Sequence, residues 1–521
     1  MAILVTNVLL GEGDAVTAVS THLEVPREDV VEAELLRRSL DARARPPAWR
    51  GNFRVVLRDE ARVRGRRDVR PFSERDELKR TGSMPSPKVT WTRRPIIVGA
   101  GPAGLFAALR LGEAGAPALL LERGGTVEAR VPAVNNFWRG QALDPENNIL
   151  FGEGGAGTFS DGKIYTRRRD GELGWIFRVL VDAGADPEIL QEAWAHLGTD
   201  KVRSILPALR ARLRDAGVEV RFGTAVEGFL VEGGRCVGVR LRSGEEVRGG
   251  PVIVAPGHSA RDTLAAMLDA GAVAELRPIA IGARVEHPQA LVDAARYPGG
   301  RGELPPASYR LADNSGARAA YTFCMCPGGM VVPAQNDPGR VVVNGMSFAA
   351  RRAMWANAAL IVQVHPEDYD GADPLAGVRY QDAIETAAFG LSGGYAAPAQ
   401  RVPDFLAGVR SSDLPRTSYP MGVQSVDLAT LLPGPVVEGM RRALRRFDVD
   451  IPGYAGAEGM LIAPEIRTTA PLCFLRGPTL ESLSLPGLVP VGEGAGWAGG
   501  IISAALDGFR AAEMAIATAG T

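Results

Sequence analysis

Apolar and polar positions change period several times along the chain, and each change predicts an element. Ala2–Val8 reads as a strand, Asp14–Leu23 and Arg27–Arg38 as helices, and Phe53–Leu57 as a strand with partial alternation. These make a small α+β module over residues 1–88. Between Val69 and Arg94 the chain is polar, carries Pro and Ser and has no period, so a linker is expected there. From residue 93 an apolar strand, a glycine turn, an apolar-faced helix ended by Gly115 and a second strand Ala118–Leu121 form a βαβ unit. Val202–Ala216 then reads as an amphipathic helix. Short strands near Val218–Phe222, Ala225–Glu232, Arg235–Arg242 and Val252–Ala255 follow, set off by Gly-Gly and Ser-Gly turns. Residues 276–453 mix periods and are rich in Pro and Gly, as an inserted α+β cap or substrate domain would be. The tail, 454–521, closes with strand, glycine turn and a long apolar-faced helix. The expected fold class is α/β: a Rossmann-like domain of βαβ plus β-meander over 93–275, completed by the C-terminal strand and helix, with the cap inserted and the small module in front.

The glycine turn carries the first chemistry. Gly99-Ala100-Gly101-Pro102-Ala103-Gly104 follows a strand and opens a helix, the context the dinucleotide fingerprint requires. One glycine makes the turn, one lets backbone approach a pyrophosphate, and one lets helix and strand pack closely; the diphosphate meets free N–H groups at the helix N-terminus. Glu122 ends the second strand, where a carboxylate can accept from both hydroxyls of an adenosine ribose.

Two further glycine runs are read differently. Gly152–Gly157 repeats the spacing but leads into Thr158-Phe159-Ser160-Asp161-Gly162, a turn without a helix start, and no acid closes a following strand. It is not a second nucleotide site. Gly157, Ser160, Asp161 and Gly162 are read either as backbone that lets a flat ring system approach or as a plain surface loop. The tail run Val491-Gly492-Glu493-Gly494-Ala495-Gly496 precedes Gly499-Gly500-Ile501 at a helix start, an arrangement that suits an anion. With FAD, this end would meet the ribityl chain and the N1/C2 side of the ring.

The chain resembles the large two-dinucleotide-binding-domain flavoproteins, and more closely the bacterial family of uncharacterised FAD-dependent dehydrogenases, or NAD(P)/FAD-dependent oxidoreductases. The residues that carry the resemblance are 95–124, NNILFGEGGAGTFSDGKIYTR (147–167), VIVAPGHSARDT (252–263), TFCMCPGGMVVPA (322–334), APEIRTTAP (463–471) and VPVGEGAGWAGGIISAALDG (489–508). It implies FAD as cofactor. Gly99, Gly101, Gly104, Glu122 and Arg123 would hold the adenosine diphosphate half, and Arg130 resembles the arginine that follows the ribose-binding strand. Ala225 and Val226 would border the adenine. Pro256-Gly257 stands where Thr-Gly is usual, which removes a hydroxyl but keeps the turn, and Gly492-Glu493 replaces the usual Gly-Asp while keeping an acceptor.

Three side chains are the candidates for catalysis. His258 follows the Pro-Gly turn and could transfer protons or only cap a loop. Arg467 could hold an acidic substrate or lie on the surface. Lys163, in a chain with four lysines, could neutralise flavin or phosphate charge or be solvated.

Composition then narrows the class. At 521 residues, three or four packing units are expected. Hydrophobic residues at 46% and charged residues at 23% mark a globular chain. No apolar run approaches the roughly 18 residues that span a bilayer, and the start lacks a basic signal region, so a cytoplasmic protein is the expectation. Four cysteines exclude a disulfide framework. Cys324 and Cys326 are read as buried free thiols, and no metal is expected. Residues 1–94 hold 19 Lys and Arg against 14 Asp and Glu, and ten arginines fall between Arg43 and Arg70.

The expected function is an FAD-dependent oxidoreductase that moves a hydride between flavin N5 and a small organic substrate under the cap. NAD(P)H would enter that cleft transiently, since no second complete nucleotide-binding unit occurs. The alternative is an RNA-directed flavoprotein gripping a backbone with the basic front module; only Trp49 and Phe53 interleave its arginines, a thin stacking platform. A third reading makes FAD structural in a binding scaffold.

Overall fold

The computed structural model describes residues 2–519 apart from 43, 45, 86, 167 and 169. Arg43 and Arg45 of the basic run, and Arg167 at the end of one motif, thus lie outside the described residues. The chain forms two compact units, Met1–Pro85 with Lys163–His196, and Ser86–Gly162 with Leu197–Thr521.

The first unit is built on an antiparallel sheet in the order Val30–Asp41, Ala48–Leu57, Ala2–Leu9, Val69–Pro71. Ala48–Leu57 alternates, burying Gly51, Phe53, Val55 and Leu57, and the helix Ala15–Leu23 adds Val19 and Leu23 to this core. The expected helix at Arg27–Arg38 is instead a short 3-10 turn, Arg27–Asp29, followed by the strand Val30–Asp41. Its Glu, Leu and Arg content favours a helix, but propensity is a weak prior. The free edge of Ala48–Leu57 needs a ladder partner, and Val30–Asp41 supplies one from Val30↔Leu57 to Asp41↔Ala48.

The expected linker is also structured. Beyond Val69–Pro71 it holds the helix Glu74–Thr81, opened by a capping box: Asp76 N–H donates to Ser73 Oγ at 3.2 Å, and Ser73 N–H donates to Asp76 Oδ2 at 2.9 Å. The helix buries no residue, so periodicity could not reveal it. Residues 163–196, assigned on sequence to the 93–275 segment, pack with this unit for two reasons. Arg38 N–H donates to Gln191 O at 2.6 Å and Ala193 N–H returns to Arg38 O at 2.8 Å. Gly174, in the helix Leu173–Asp182, lets the helix Glu74–Thr81 approach so closely that a Cβ there would lie 2.4 Å from Lys79 O.

The arginine run faces carboxylates of its own unit. Arg54 pairs with Glu32 at 2.7 Å, Arg62 with Asp29 at 2.5 Å, Arg66 with Asp68 at 3.1 Å and Arg70 with Asp76 at 2.6 Å. Such pairing leaves less free charge for a nucleic-acid backbone than the count of arginines suggests.

The second unit carries a five-stranded parallel sheet in the order Leu488–Pro490, Val252–Val254, Ile96–Val98, Leu119–Leu121, Glu219–Arg221. The C-terminal strand therefore joins the first βαβ unit, as expected. Glu246–Arg248, Arg235–Leu241 and Val226–Glu232 form the antiparallel meander. The helix Ile501–Ala519 packs on Pro102–Glu113 through Gly508, where a Cβ would sit 1.9 Å from Ala103 O.

The inserted segment forms a separate large sheet. Its middle strands are Ala320–Pro333, Trp355–Val364, Ile279–Pro288, Met460–Glu465 and Ala397–Arg401. Met460–Glu465, placed on sequence with the C-terminal part, lies inside this sheet because it pairs with both Ile279–Pro288 and Ala397–Arg401. The helix Gly434–Asp450 covers one face, with Gly439 set close against Val362. Among the described residues no helix is long and apolar enough to cross a membrane.

Candidate functional site

Three glycine loops and one turn, far apart in sequence, converge at the C-terminal ends of the parallel strands. Gly99 has φ +99°, and a Cβ there would lie 2.3 Å from Ala255 O, so the first strand's turn packs against the one ending Val252–Val254. At Gly104 a Cβ would meet Gly99 O at 1.8 Å, the close helix–strand contact the fingerprint requires. Gly101 differs. The nearest atom to its added Cβ is Gly155 Cα at 3.9 Å, so the space beside it is open. Pro102 and Ala103 begin the helix whose first N–H groups face that space.

The second loop closes on the first: Gly154 N–H donates to Ala100 O at 2.8 Å, and Gly155 approaches Gly101. It continues into a short 3-10 turn, Gly155–Phe159, with Gly157 set against Ile501 at the start of the C-terminal helix. The third loop packs Gly492 against Ala103, and Gly494 against Gly257, where a Cβ would lie 2.3 Å from Gly257 O. Gly499 lies beside Glu493 Oε1, and Gly500 with φ +81° leads into the helix.

Glu122 braces this arrangement. Buried at the end of Leu119–Leu121, it accepts from Ala100 N–H at 2.7 Å, Gly124 N–H at 2.9 Å and Gly152 N–H at 3.0 Å, leaving one lone-pair direction of its carboxylate for an outside donor. Arg130 is fully buried. Its Nε donates to Asn148 O at 2.7 Å and Nη1 to Glu153 O at 2.8 Å, while Nη2 has no acceptor. Burial brings its pKa down to about 9.

Beside the loops a cleft of about 410 Å³ is lined by Arg123, Glu146, Thr224, Ala225, Arg242 and Glu245, among others. Arg123 is fixed there by Glu146 at 2.6 Å, Asp262 at 2.8 Å and the ring of Phe151 at 4.2 Å. Val226 itself is buried in its strand.

The turn after Val252–Val254 brings His258 toward the third loop, with Nδ1 3.9 Å from Glu493 Oε2. Their environments move them in opposite directions. Burial, with the charges of Arg467 and Arg261, lowers His258 to about 4. The enclosing cleft raises Glu493 to about 7, although 28% of its side chain meets solvent. His258 is therefore neutral at pH 7, with Nε2 buried and unpartnered.

Arg467 is buried and held by the protein itself. Nε and Nη2 donate to the two oxygens of Glu385 at 2.8 and 2.7 Å, and Nη1 donates to Asn336 Oδ1. Arg261 also donates to Glu385, at 2.7 Å. The expected grip on an acidic substrate is thus replaced by a buried ion network, because Glu385 would otherwise be an uncompensated charge. Asp161 likewise faces protein: it accepts from Ser347 Oγ and from Arg351 at 2.7 Å. Ser160 accepts from Gly162 N–H at 2.9 Å within the turn. Lys163 belongs to the other unit, in a bridge with His196. Cys326 is buried but Cys324 is exposed, with φ +42°, because the register between Phe323 and Cys326 breaks in a bulge. Among the described residues no group of His, Cys, Asp and Glu could hold a metal.

Sequence reasoning missed Arg203, whose guanidinium lies 4.1 Å from the ring centroid of Phe159, and missed Glu385. Neither belongs to a local motif, and one arginine among so many carries no signal of its own.

Comparison with known proteins bears on this geometry. The family model described as FAD binding domain matches residues 94–249, and the one described as FAD-dependent protein, C-terminal domain-like, matches 278–468. A protein of Clostridium beijerinckii described as uncharacterized is 38% identical over 528 residues, covering 99% of each chain. Among solved structures, a triple mutant of the flavin-dependent brominase Bmp2 is 14% identical, covers 82% of this chain and 81% of its own, and gives a TM-score of 0.38. A geranylgeranyl bacteriochlorophyll reductase-like protein of Thermoplasma acidophilum is also 14% identical, at 82% and 79% coverage and a TM-score of 0.36.

Proposed function

Because the chain belongs to the family of FAD-dependent proteins that includes this Clostridium relative, we propose that it is an oxidoreductase that moves a hydride between flavin N5 and a small organic substrate under the cap sheet. In this reading NAD(P)H is a transient co-substrate of the same cleft. The observation that carries the cofactor assignment is the open space beside Gly101, where Gly155 of the second loop approaches and the helix from Pro102 begins; Gly492 of the third loop packs on Ala103 in that helix's first turn, and Arg130, packed on Gly152 of the second loop, keeps Nη2 buried without an acceptor. A diphosphate supplies what these groups lack: negative charge and oxygen acceptors. FAD therefore fits the residues present.

When bound, FAD supplies two-electron chemistry at N5 that no side chain can provide. The protein's part is to bind, orient and exclude water. Gly99, Gly101 and Gly104 let backbone N–H groups approach the diphosphate, and Glu122 keeps the first and second loops together while offering its remaining lone pair to a ribose hydroxyl. The cleft at Arg123 and Ala225 has the size and exposure for the adenosine end. Gly492, Glu493, Gly499, Gly500 and Ile501 face the ribityl side. The Glu493 carboxyl, raised to about 7, is a group able to exchange a proton near neutral pH, while His258, lowered to about 4, stays neutral and offers hydrogen bonds at its ring nitrogens. The network of Arg261, Glu385 and Arg467 fixes the cap helix Ala376–Ser392 to the turn that carries His258.

The visible spectrum of the purified protein, followed anaerobically on addition of NADH and then NADPH, tests the reading. Flavin bands that bleach with one nucleotide are expected. Bands that persist with both remove NAD(P)H from the proposal, and a colourless protein that FAD cannot reconstitute removes the proposal itself.

A further inference from the structure

Two guanidinium groups of the second unit share one aromatic ring. Cζ of Arg130 lies 4.9 Å and Cζ of Arg203 4.1 Å from the centroid of Phe159. Arg130 comes from the helix Val127–Trp138 and Arg203 from the helix Gly198–Asp215, so the fold brings the two together deliberately far from either one's sequence neighbours. Each keeps a buried nitrogen without an acceptor: Nη2 of Arg130 and Nε of Arg203. Arg130's other nitrogens meet only backbone carbonyls, which bring no negative charge. Burial lowers the pKa of both guanidinium groups, outweighing the carboxylates that act on them through space, Glu122 and Glu153 for Arg130 and Asp200 for Arg203. The carboxylates around them are engaged elsewhere. Glu122 holds three backbone N–H groups, Glu153 takes Val127 N–H and Arg210, and Asp200 accepts from Ala349 N–H.

Such an arrangement is unfavourable on its own. Two like charges near one ring repel, and buried charged donors without acceptors lose hydration that nothing restores. An anion with several oxygens would answer both, and a flat guanidinium stacked on a ring presents its N–H edge to phosphoryl oxygens. The ring ends the short turn Gly155–Phe159, whose first glycine approaches Gly101, and the Arg130 stem packs against Gly152 of the same loop, where a Cβ would lie 2.6 Å from Arg130 Cδ.

We propose that Arg203 Nε and Arg130 Nη2 form one phosphoryl-binding site, with Phe159 as its platform. This rests on the FAD reading above, since its two sources are the diphosphate of FAD and a phosphate of the nicotinamide nucleotide.

The test uses the full chain and the variants Arg203→Met and Arg203→Gln, which keep most of the stem against Phe159, with Arg203→Lys as the charge-conserving control. FAD affinity of the flavin-stripped protein is read by quenching of flavin fluorescence, and NADPH and NADH affinity of the FAD-loaded protein by calorimetry, each at two salt concentrations. The expected result is a rise in one Kd of about tenfold or more with a weaker salt dependence, partly restored by Lys. A rise for FAD identifies the cofactor's own diphosphate as the occupant; a rise for a nicotinamide nucleotide alone identifies the second source. Unchanged affinity for all three nucleotides in whichever neutral variant folds overturns the site. Failure of the wild-type protein to bind FAD is a different result and overturns the proposed function.

Discussion

Removing the charge of Glu385 while keeping its shape, by Glu385→Gln, should destabilise the second unit substantially. Glu385 is fully buried on the helix Ala376–Ser392 and receives three donations, two from Arg467 at 2.8 and 2.7 Å and one from Arg261 at 2.7 Å. Burial alone would raise its pKa, but the two guanidinium groups outweigh it and hold the carboxyl below the usual range. Gln offers one acceptor oxygen in place of two and leaves Arg467 with only Asp337, 4.0 Å from Nη2, as a counter-charge. Charge-assisted hydrogen bonds are roughly twice as strong as neutral ones, so three of them lose about 1 to 1.5 kcal/mol each. The sum agrees with the roughly 3 to 5 kcal/mol typical of breaking a buried pair. A unit of roughly 400 residues unfolds with an entropy of about 0.8 kcal/mol per kelvin, so Tm should fall by about 4 to 6 °C. Thermal melts followed by circular dichroism measure this. The variant Glu385→Leu/Arg467→Met, which removes both charges, should recover part of the loss. A Glu385→Gln melt within about 1 °C of wild type would refute the argument that this network is a structural clamp.

Three other perturbations have definite outcomes. Gly104→Val would force a Cβ to within 1.8 Å of Gly99 O; the purified protein should hold less than about a tenth of the wild-type flavin, read from the ratio of visible to 280 nm absorbance. His287 is fully buried with Nε2 2.8 Å from Tyr454 O, and burial lowers it to about 4. Its folded pKa lies below the unfolded value near 6.5, so the stability of its neutral form is complete above pH 6.5 and is lost as pH falls toward 4, about 3 kcal/mol in all. Denaturant midpoints of His287→Gln should therefore decline less between pH 6.5 and 4 than those of wild type, and equal declines count against the assignment. Cys324 is exposed while Cys236, Cys326 and Cys473 are buried, so a thiol reagent should titrate one cysteine in the native protein and four after unfolding; rapid reaction of more than one would contradict the burial pattern.

How much of this could be read from the sequence depended on how local the requirement was. The turn at Gly99–Gly104 was legible because each glycine answers a backbone constraint set within a few residues: a positive φ, an open approach, a close helix. The joining of Leu488–Pro490 to the first sheet was legible because strand, glycine turn and helix recur in the tail. The strand Val30–Asp41 was not, since its helix-like composition is overruled by the ladder of Ala48–Leu57, a tertiary demand. The helix Glu74–Thr81 buries nothing, so its Ser73–Asp76 capping box was the one signal available.

The arginines make the same point about the site. In a chain with 59 Lys and Arg, residue type cannot separate a ligand-binding cation from a structural one, and the partners that decide lie 82 and 131 residues away for Arg467. What separates them is what the fold leaves unmet. Arg467, read from the sequence as a hand for an acidic substrate, has an acceptor for each of its nitrogens and is thereby removed from substrate binding. Arg130 and Arg203 have buried nitrogens with none. Buried donors without acceptors also occur at Nε of Arg38, Arg54, Arg296 and Arg351, so the deficit alone does not mark an anion site; what sets Arg130 and Arg203 apart is that two such cations share the ring of Phe159, at the end of the glycine loop that closes on Gly101.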